Sequence, residues 1–400
     1  MRPRLSRKLT GFGTTIFTEM TRLANERGAI NLAQGFPDFD GPEFVKEAAV
    51  AAIGAGHGQY ARMSGVPALN AALSRKYARD YALAYDGDAE ITVTSGATEA
   101  IFATLQGLCD VGDEVVMFEP FYDSYRASAY MAGAIPRVAT LRAPSPAQPD
   151  VGAWTFDRDA VTALFGPRTR VLLLNSPHNP TGKVYARDEL EFLAGLCKEH
   201  DVVCISDEVY EHLVFDGEHI PMATLPGMRE RTVTISSLGK TFSLTGWKVG
   251  WAAAPPDLTF AIRSAHQFIT FATATPLQHA AVAAIESGPE FYRQLTADYR
   301  YKRDLLVGEL ARIGFDVTAP AGTYFACAGF ASFGYTDDVA FTKHLIDVGV
   351  AVIPPSVFYV HPERGRSYVR FAFCKREATL RAAVARLEGL NRTADRGREK

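Results

Sequence analysis

From Ile91 onward, short apolar runs alternate with stretches whose apolar residues recur at helical spacing. The runs are Ile91-Thr92-Val93-Thr94, Val115-Val116-Met117-Phe118, Val171-Leu172-Leu173-Leu174, Val202-Val203-Cys204-Ile205, Val233-Thr234-Ile235 and Val249-Gly250-Trp251-Ala252. Apolar runs this short, bounded by turn residues, predict strands. Their alternation with helices predicts a largely parallel sheet covered on both faces. In such sheets ligands gather beyond the carboxyl ends of the strands. The polar residues that follow the runs therefore become the first candidates: Ser95-Gly96, Glu119-Pro120, Asn175-Ser176, Ser206-Asp207 and Ser236-Ser237.

The rhythm differs on either side of this region. Ile16 to Arg27 has an amphipathic helical pattern, and Gly28 ends it. Gln34 to Pro42 is dense in turn residues and predicts an irregular loop, after which Pro42 opens a helix to about Ala55. From about Glu290 a long helical stretch, Phe291 to Ile313, precedes short strands near Phe315-Asp316-Val317 and Tyr324-Phe325-Ala326. A helix from Asp337 to Val348 and strands near Val350-Ala351-Val352 and Tyr368 to Ala372 follow. This is the pattern of an α+β lobe, against which the N-terminal segment is expected to pack. The expected division is residues 1–44 as N-terminal arm and segment, 45–288 as the large domain and 289–400 as the small one. Met1 to about Thr15 reads as a basic, poorly ordered arm. Ala143 to Asp150, with three prolines, reads as a surface connection, and the polar tail after Asn391 as frayed.

Composition narrows the class. A chain of 400 residues exceeds one ordinary core, and 47% hydrophobic with 22% charged residues is a globular composition. A net charge of −3 gives no sign of a nucleic-acid or anionic-membrane partner. The five cysteines are scattered without a C-x-x-C pair and are expected to be reduced, buried thiols in a cytoplasmic protein. No apolar run is long enough to span a bilayer. The nine histidines form no metal-ligand spacing, so no metal is expected, and no G-x-S-x-G suggests a serine hydrolase. Gly54-Ala55-Gly56-His57-Gly58 follows a helix and lacks dinucleotide-binding spacing.

The candidate chemistry centres on two residues. Lys240 lies in the small, polar string Ser236-Ser237-Leu238-Gly239-Lys240-Thr241, and Asp207 ends the apolar run Val202 to Ile205 in Ser206-Asp207-Glu208-Val209-Tyr210. A lysine can form a Schiff base with an aldehyde, and an Asp can keep a pyridinium nitrogen protonated. Pyridoxal phosphate needs both. Taken singly, such a lysine also fits a solvated turn and such an Asp a helix N-cap. Ser95-Gly96-Ala97-Thr98 joins a strand to a helix through small residues, which suits a phosphate at a helix N-terminus or a plain capped turn. Asn175 to Gly182, with Pro177 and Pro180, forms a rigid loop that can present Asn179 to a ligand or be a structural turn; it also holds His178. Lys248 opens a strand, where it fits a surface lysine or a second cation for a phosphate. Arg370 alternates with aromatics in Tyr368-Val369-Arg370-Phe371-Ala372, where a buried cation needs a partner and an Arg can take a carboxylate.

Together these strings resemble the class I aminotransferases of pyridoxal phosphate fold type I, from about Gly28 to Phe373. The resemblance is nearest to the subgroup of kynurenine aminotransferase, glutamine transaminase K and bacterial methionine aminotransferases. It is carried by Asn31-Leu32-Ala33-Gln34-Gly35-Phe36-Pro37-Asp38-Phe39, Asn179-Pro180-Thr181-Gly182-Lys183-Val184, Ser206 to Tyr210, Gly239-Lys240-Thr241-Phe242-Ser243 through Gly250-Trp251, and His266-Gln267.

The resemblance implies an α/β, aspartate aminotransferase-like fold: a mostly parallel seven-stranded sheet flanked by helices, plus a smaller α+β domain. It implies pyridoxal 5'-phosphate as cofactor and transamination between an L-amino acid (glutamine, methionine, kynurenine or aromatic type) and a 2-oxo acid. Lys240 would carry the cofactor and shuttle the proton, Asp207 would pair with the ring nitrogen, and Tyr210 and Asn179 would bind the ring hydroxyl oxygen. Tyr122 would stack on the ring. Ala97, Thr98, Ser237, Lys248 and Tyr60 would hold the phosphate, Tyr60 from the neighbouring subunit of a homodimer with shared active sites. Arg370, Asn179 and the Gly35 backbone would clamp the substrate carboxylate, with Phe17 and Phe271 lining the side-chain pocket. Ala272 and Thr98 depart from residues some relatives carry and bear on side-chain preference. An N-succinyldiaminopimelate aminotransferase is a further resemblance, through Phe17-Thr18-Glu19-Met20 and Asp40-Gly41-Pro42, with Arg62 as the candidate cation for a distal carboxylate. Cysteine-S-conjugate β-elimination would use the same scaffold. A transaminase-like regulator is disfavoured because fewer than about forty residues precede the Gln34 loop.

Overall fold

The computed structural model of the protein describes residues 6–9, 11–13, 16–144 and 153–390. In chain order, α1 (Ile16–Arg27) and β1 (Ile30–Asn31) lead to α2 (Glu43–Gly54), α3 (Pro67–Tyr81), β2 (Ile91–Ser95) and α4 (Gly96–Leu108). Next come β3 (Glu114–Glu119), α5 (Asp123–Met131), β4 (Ile135–Thr140), α6 (Arg158–Thr162), β5 (Thr169–Asn175), α7 (Arg187–Glu199) and β6 (Val203–Asp207). Then follow β7 (Thr232–Ser237), α8 (Leu238–Thr241), β8 (Val249–Ala253), α9 (Pro256–Ile269), α10 (Thr275–Ile285) and α11 (Pro289–Ile313). The chain closes with β9 (Asp316–Val317), β10 (Phe325–Gly329), α12 (Asp338–Val348), β11 (Val350–Ala351), β12 (Tyr368–Ala372) and α13 (Glu377–Leu387).

The central sheet has seven strands in the order β2-β8-β7-β6-β5-β3-β4. Every pairing in it is parallel except the two made by β8, which runs against both β2 and β7. That one reversal matters for the site. The carboxyl ends of β2, β5, β6 and β7 share an edge with the amino end of β8. Register fixes the neighbours there: Ser95 opposite Val249, Ser237 opposite Gly250, and Asn175 opposite Asp207. Strands β3, β6, β7 and β8 are buried along their whole length, as expected for strands covered on both faces.

One strand was not among the six apolar runs. β4 reads Ile-Pro-Arg-Val-Ala-Thr, with a proline and an arginine inside it. It is tolerated because β4 is an edge strand, paired only with β3, where a missing amide breaks no second ladder. Pro42 caps α2 rather than opening it.

Three more strands, β12-β10-β9, form a small antiparallel sheet. Its core is aromatic: Phe315, Phe333, Phe341 and Phe371 lie among α11, α12 and α13. The N-terminal segment joins this part of the molecule through the parallel pair β1–β11, and Met20 and Ala24 of α1 pack with Ile346, Ala351 and Phe358. The two layers are tied across β3. Glu119 is fully buried and accepts hydrogen bonds from Thr140 Oγ1 at 2.7 Å and from the Val360 amide at 2.7 Å, while the Phe121 amide donates to Phe358 O at 2.9 Å. The described part of the basic arm does not hang free. Lys8 Nζ donates to Met131 O at 3.4 Å, and the Phe12 ring meets Tyr130 at 5.9 Å. The rest of that arm, most of the proline-rich connection and the tail from residue 391 lie outside the described residues.

Among the described residues no helix is long and apolar enough to cross a membrane.

The approach of β8 to α4 has no slack. A methyl group at Gly250 would stand 2.5 Å from Gly96 C and 2.6 Å from Ala97 N, both backbone atoms that cannot swing away. Gly250→Ala is therefore expected to cost about 1–3 kcal/mol in urea unfolding, the range for overpacking a filled site. Gly246→Ala, where nothing lies within 4 Å of the added carbon, serves as the near-neutral control.

Candidate active site

The strand ends described above surround a cleft with a cavity volume of about 140 Å³. Gly96, Ala97 and Thr98 line it from the β2–α4 turn, Asn175 and Asn179 from the loop after β5, and Asp207, Val209 and Tyr210 from the loop after β6. Ser237, Gly239 and Lys240 come from β7 and α8, Lys248 from the start of β8, and Tyr122 and Tyr125 from the head of α5. Residues far apart in sequence meet here because each follows a strand that ends, or in β8 begins, on the same edge.

One wall is built to receive an anion. α4 starts at Gly96 with no side-chain cap, so the amides of its first turn are left for another acceptor. Gly96 has φ +74°, and a side chain there would meet Lys248 Nζ at 3.0 Å. The lysine ammonium thus sits directly over the turn. Lys248 reaches this position from a left-handed backbone, φ +55°.

Opposite this wall are an amine and a carboxylate. Lys240 Nζ lies 5.8 Å from the Tyr210 ring centre and 5.9 Å from that of Tyr324. Burial lowers its pKa, Cys374 and Asp207 raise it in part, and Lys248 and Arg370 lower it again. An amine so placed is more readily available in its neutral, nucleophilic form. Asp207 is buried, and burial pushes its carboxyl up to about 6 even though the Tyr125 hydroxyl, the Val209 amide and Lys240 favour its charge. Tyr125 Oη donates to Asp207 Oδ2 at 2.5 Å and the Val209 amide to Oδ1 at 3.3 Å.

The third group is Arg370. It is 1% exposed, yet it is engaged: Nη1 donates to Asn179 Oδ1 at 3.0 Å and Nη2 to Ala33 O at 2.9 Å. Its guanidinium lies 4.1 Å from the Phe325 ring centre and 5.2 Å from that of Phe358. Asn179 is held in turn, since its amide donates to Asn175 Oδ1 at 2.8 Å. Gly35 closes the same corner. Its carbonyl accepts from Tyr324 Oη at 2.7 Å, and a side chain on it would run into Phe325 at 2.5 Å.

Buried carboxylates brace the loops that carry these groups. Glu211, one turn beyond Asp207, accepts from Lys76 Nζ at 2.6 Å, Tyr81 Oη at 2.6 Å and Ser236 Oγ at 2.9 Å. Burial opposes its charge, but the Lys76 ammonium and these donors hold its carboxyl far below the usual range. Glu208 bonds Ser206 Oγ at 2.7 Å and His219 Nε2 at 3.0 Å. Glu99 in α4 accepts from the Ser95 amide and from Thr270 Oγ1 at 2.5 Å, and pairs with His266 Nδ1 at 2.6 Å.

Of the sequence candidates, Ala97, Thr98, Tyr122, Asn179, Asp207, Tyr210, Ser237, Lys240 and Lys248 line one cleft. Arg370 and Gly35 adjoin it through Asn179 and Tyr324. Two stand apart from it. Tyr60 is 88% exposed, and its ring meets that of Phe271, itself half exposed, at 5.8 Å on the outer surface. Phe17 is in the first turn of α1, but its side chain lies outside the described residues. His178 is buried with Nδ1 2.8 Å from Thr181 Oγ1, and burial together with Lys183 pushes its pKa down to about 3. That is a structural, neutral histidine. Sequence reasoning missed Tyr125, Tyr324 and the Lys76–Glu211 pair. The spacing of Tyr125 from Tyr122 on a helix was a usable signal for the first. Nothing local marks the other two.

The family model for aminotransferase class I and II matches residues 27–387. Over 394 residues the chain is 43% identical to a probable N-succinyldiaminopimelate aminotransferase of Mycobacterium tuberculosis, covering 96% of this chain and 98% of that one. It is 41% identical over 385 residues to the methionine aminotransferase of Escherichia coli, with 96% and 97% covered. The solved structure of N-succinyldiaminopimelate aminotransferase from Mycobacterium tuberculosis superimposes with a TM-score of 0.93 at 42% identity, covering 97% of this chain and 100% of that one.

The state of Asp207 gives a test that needs no ligand. Its folded value of about 6 lies above the ordinary 3.8, so the native chain keeps this proton to higher pH than the unfolded chain does. Stability is therefore lost as pH rises between those values, and the full cost of the buried charge, about 3 kcal/mol, is present above about pH 6. Asp207→Asn, which can still accept from Tyr125, is expected to stabilise the ligand-free chain by roughly that amount at about pH 8 and by nothing below about pH 4. Urea unfolding at the two pH values measures it.

Proposed function

This chain belongs to the class I and II aminotransferases and is an enzyme of amino-group transfer; from that premise we propose that it holds pyridoxal 5'-phosphate in the cleft at the carboxyl edge of the large sheet. The observation that carries this reading is a desolvated lysine, Lys240, facing a buried carboxylate, Asp207, beside an anion-receptive helix start. The residues fit the cofactor. The Gly96–Gly250 contact leaves room only for backbone, so the Ala97 and Thr98 amides, Ser237 and Lys248 would take its phosphate. Tyr122 would cover the ring face, Asp207 would keep the ring nitrogen protonated, and Tyr210 and Asn179 would bind the ring hydroxyl oxygen. When bound, the cofactor supplies an electron sink for the bond broken at the substrate α-carbon.

The chain's own groups do the rest. Lys240 would anchor the cofactor, and its amine would take the substrate α-proton and return it. Its lowered pKa serves both tasks, since a base works best with a pKa near the working pH. Arg370, steadied by Asn179 and Ala33 O and joined by the Gly35 backbone, orients the substrate carboxylate. Phe271, half-exposed beside Tyr60, would line the side-chain pocket once the dimer forms. The exposure of Tyr60 and its contact with Phe271 support a homodimer in which Tyr60 completes the partner's phosphate site. We place the enzyme in the cytoplasm and divide the chain into segment 1–44, large domain 45–288 and small domain 289–400.

For the amino donor we propose an L-amino acid with an uncharged or aromatic side chain, of the glutamine, methionine or kynurenine type. Arg62 is the cation considered for a distal carboxylate. It donates to Asp88 at 2.8 Å and to Gly65 O at 3.3 Å, so its charge is already matched. The second reading, N-succinyldiaminopimelate, is supported by the 43% identity to the mycobacterial relative.

Two measurements test this. Purified protein with added pyridoxal phosphate is expected to show the near-visible band of the lysine-bound cofactor. Lys240→Ala is expected to lack that band and to lose about 10³-fold or more in turnover, in line with removal of both anchor and base. Persistence of either in the variant overturns the assignment. In a donor panel of methionine, glutamine, kynurenine, phenylalanine and N-succinyldiaminopimelate, the uncharged or aromatic donors are expected to discharge the band fastest. Fastest discharge by the succinylated donor selects the second reading.

A further inference from the structure

Tyr125 takes no part in the reading above, yet it touches two of the groups that reading depends on. It is 3% exposed and lies in the first turn of α5. Its hydroxyl donates to Asp207 Oδ2 at 2.5 Å. Its ring meets the Tyr122 ring edge-on at 5.7 Å between centres, and its amide donates to Tyr122 O at 3.0 Å. One side chain thus joins the residue assigned to the cofactor's ring face to the residue assigned to its ring nitrogen.

We propose that Tyr125 is a positioning residue that keeps the Asp207 carboxylate ionised and fixed in register with Tyr122, so that the cofactor's ring nitrogen stays protonated. The inference rests on the pyridoxal phosphate reading. A short O–H···O⁻ bond from a donor that cannot itself ionise favours the charged carboxylate and orients it. Tyr125 is such a donor: burial and the neighbouring Asp207 charge raise its pKa well above the ordinary 10.0, so it donates at every relevant pH. The other Asp207 oxygen already accepts the Val209 amide, so rotation of the carboxylate breaks two bonds. The charged and titratable groups around Asp207 are Tyr122 and Tyr125 from the head of α5, Lys240 from α8, and Glu208 and Tyr210 from its own loop. Lys240 favours the carboxylate charge and Glu208 opposes it. Lys240 changes its task between anchor and base, whereas the Tyr125 hydroxyl is, among the described residues, the side-chain donor hydrogen-bonded to the Asp207 carboxylate.

The test is Tyr125→Phe in the holoenzyme, a change of one oxygen that keeps the ring contact with Tyr122. Three readouts are taken: the cofactor dissociation constant, the pH midpoint of the near-visible band, and kcat and KM for the amino donor. Weaker cofactor binding by about 10- to 100-fold is expected, the range a charge-assisted hydrogen bond represents. The band midpoint is expected to move to higher pH, because a less positive ring makes the lysine-bound cofactor less acidic. A fall in kcat with KM little changed completes the expected pattern, and a purely structural role would not move the band midpoint. A double-mutant cycle guards against a simple folding defect: in an Asp207→Asn background, Tyr125→Phe should produce no further shift. A wild-type band with an unchanged midpoint and cofactor affinity in Tyr125→Phe overturns the inference and leaves the cofactor reading intact. No band in wild type overturns both.

Discussion

Asp207 ends a strand that has neighbours on both sides, so its carboxylate is out of water, and burial alone would leave it protonated near neutral pH. Everything around the cleft can be understood as an answer to that cost. Tyr125 and the Val209 amide give it hydrogen bonds, and Lys240 gives it an opposing charge. The answer is deliberately incomplete. A carboxyl left near 6 gains from any cation placed beside it, and a protonated ring nitrogen is such a cation. The same desolvation acts in the opposite sense on Lys240 and makes its amine available. One physical effect, the loss of water, thus raises the carboxyl and lowers the amine.

The supporting carboxylates follow a different rule. Glu211 has Lys76, Tyr81 and Ser236 as donors, and Glu208 has Ser206 and His219. The Glu211 charge is matched by the Lys76 ammonium, and the oxygens of both carboxylates are taken by buried donors. Breaking such a buried pair leaves a bare charge and is costly, about 3–5 kcal/mol. The consequence is a stiff loop. Val209 and Tyr210 sit between Glu208, anchored toward His219 and Met222, and Glu211, anchored toward α3 and β7, and Asp207 directly precedes Glu208. Val209 and Tyr210 meanwhile pack into the aromatic core around Tyr324 and Phe325. The loop is held from three directions.

Much of this was legible in the sequence. Apolar runs located six of the seven strands of the large sheet, and the polar residues after them proved to share one edge. Lys240, Asp207 and Asn179 could be singled out because each follows a strong strand signal. What escaped reading was what depends on pairing across the fold. β4 was hidden by Pro136 and Arg137, which are acceptable only at an edge that sequence does not reveal. The reversal of β8 has no local signature, yet without it Lys248 would sit at the far end of the sheet. Tyr125 and Lys76 find their acceptors more than eighty residues away. Arg370 was legible as a cation needing a partner, but not as one stacked between Phe325 and Phe358.

Backbone strain is distributed in the same spirit. Among the described residues, Ala82, Asp201, Ser243, Lys248, Phe271 and Thr323 adopt positive φ without being glycine. Each such conformation costs about 1–3 kcal/mol, and glycine would remove the cost. At Lys248 it would also remove the ammonium that stands over Gly96. At Thr323 it would remove the hydroxyl that accepts the Phe325 amide at 3.2 Å, just beside Tyr324. Glycine is used where the opposite holds. At Gly96 and Gly250 any side chain would fill the space between turn and strand. At Lys248 and Thr323 the chain thus accepts strain for a side chain in or beside the cleft, whereas at Gly96 and Gly250 it gives up the side chain so that turn and strand can meet.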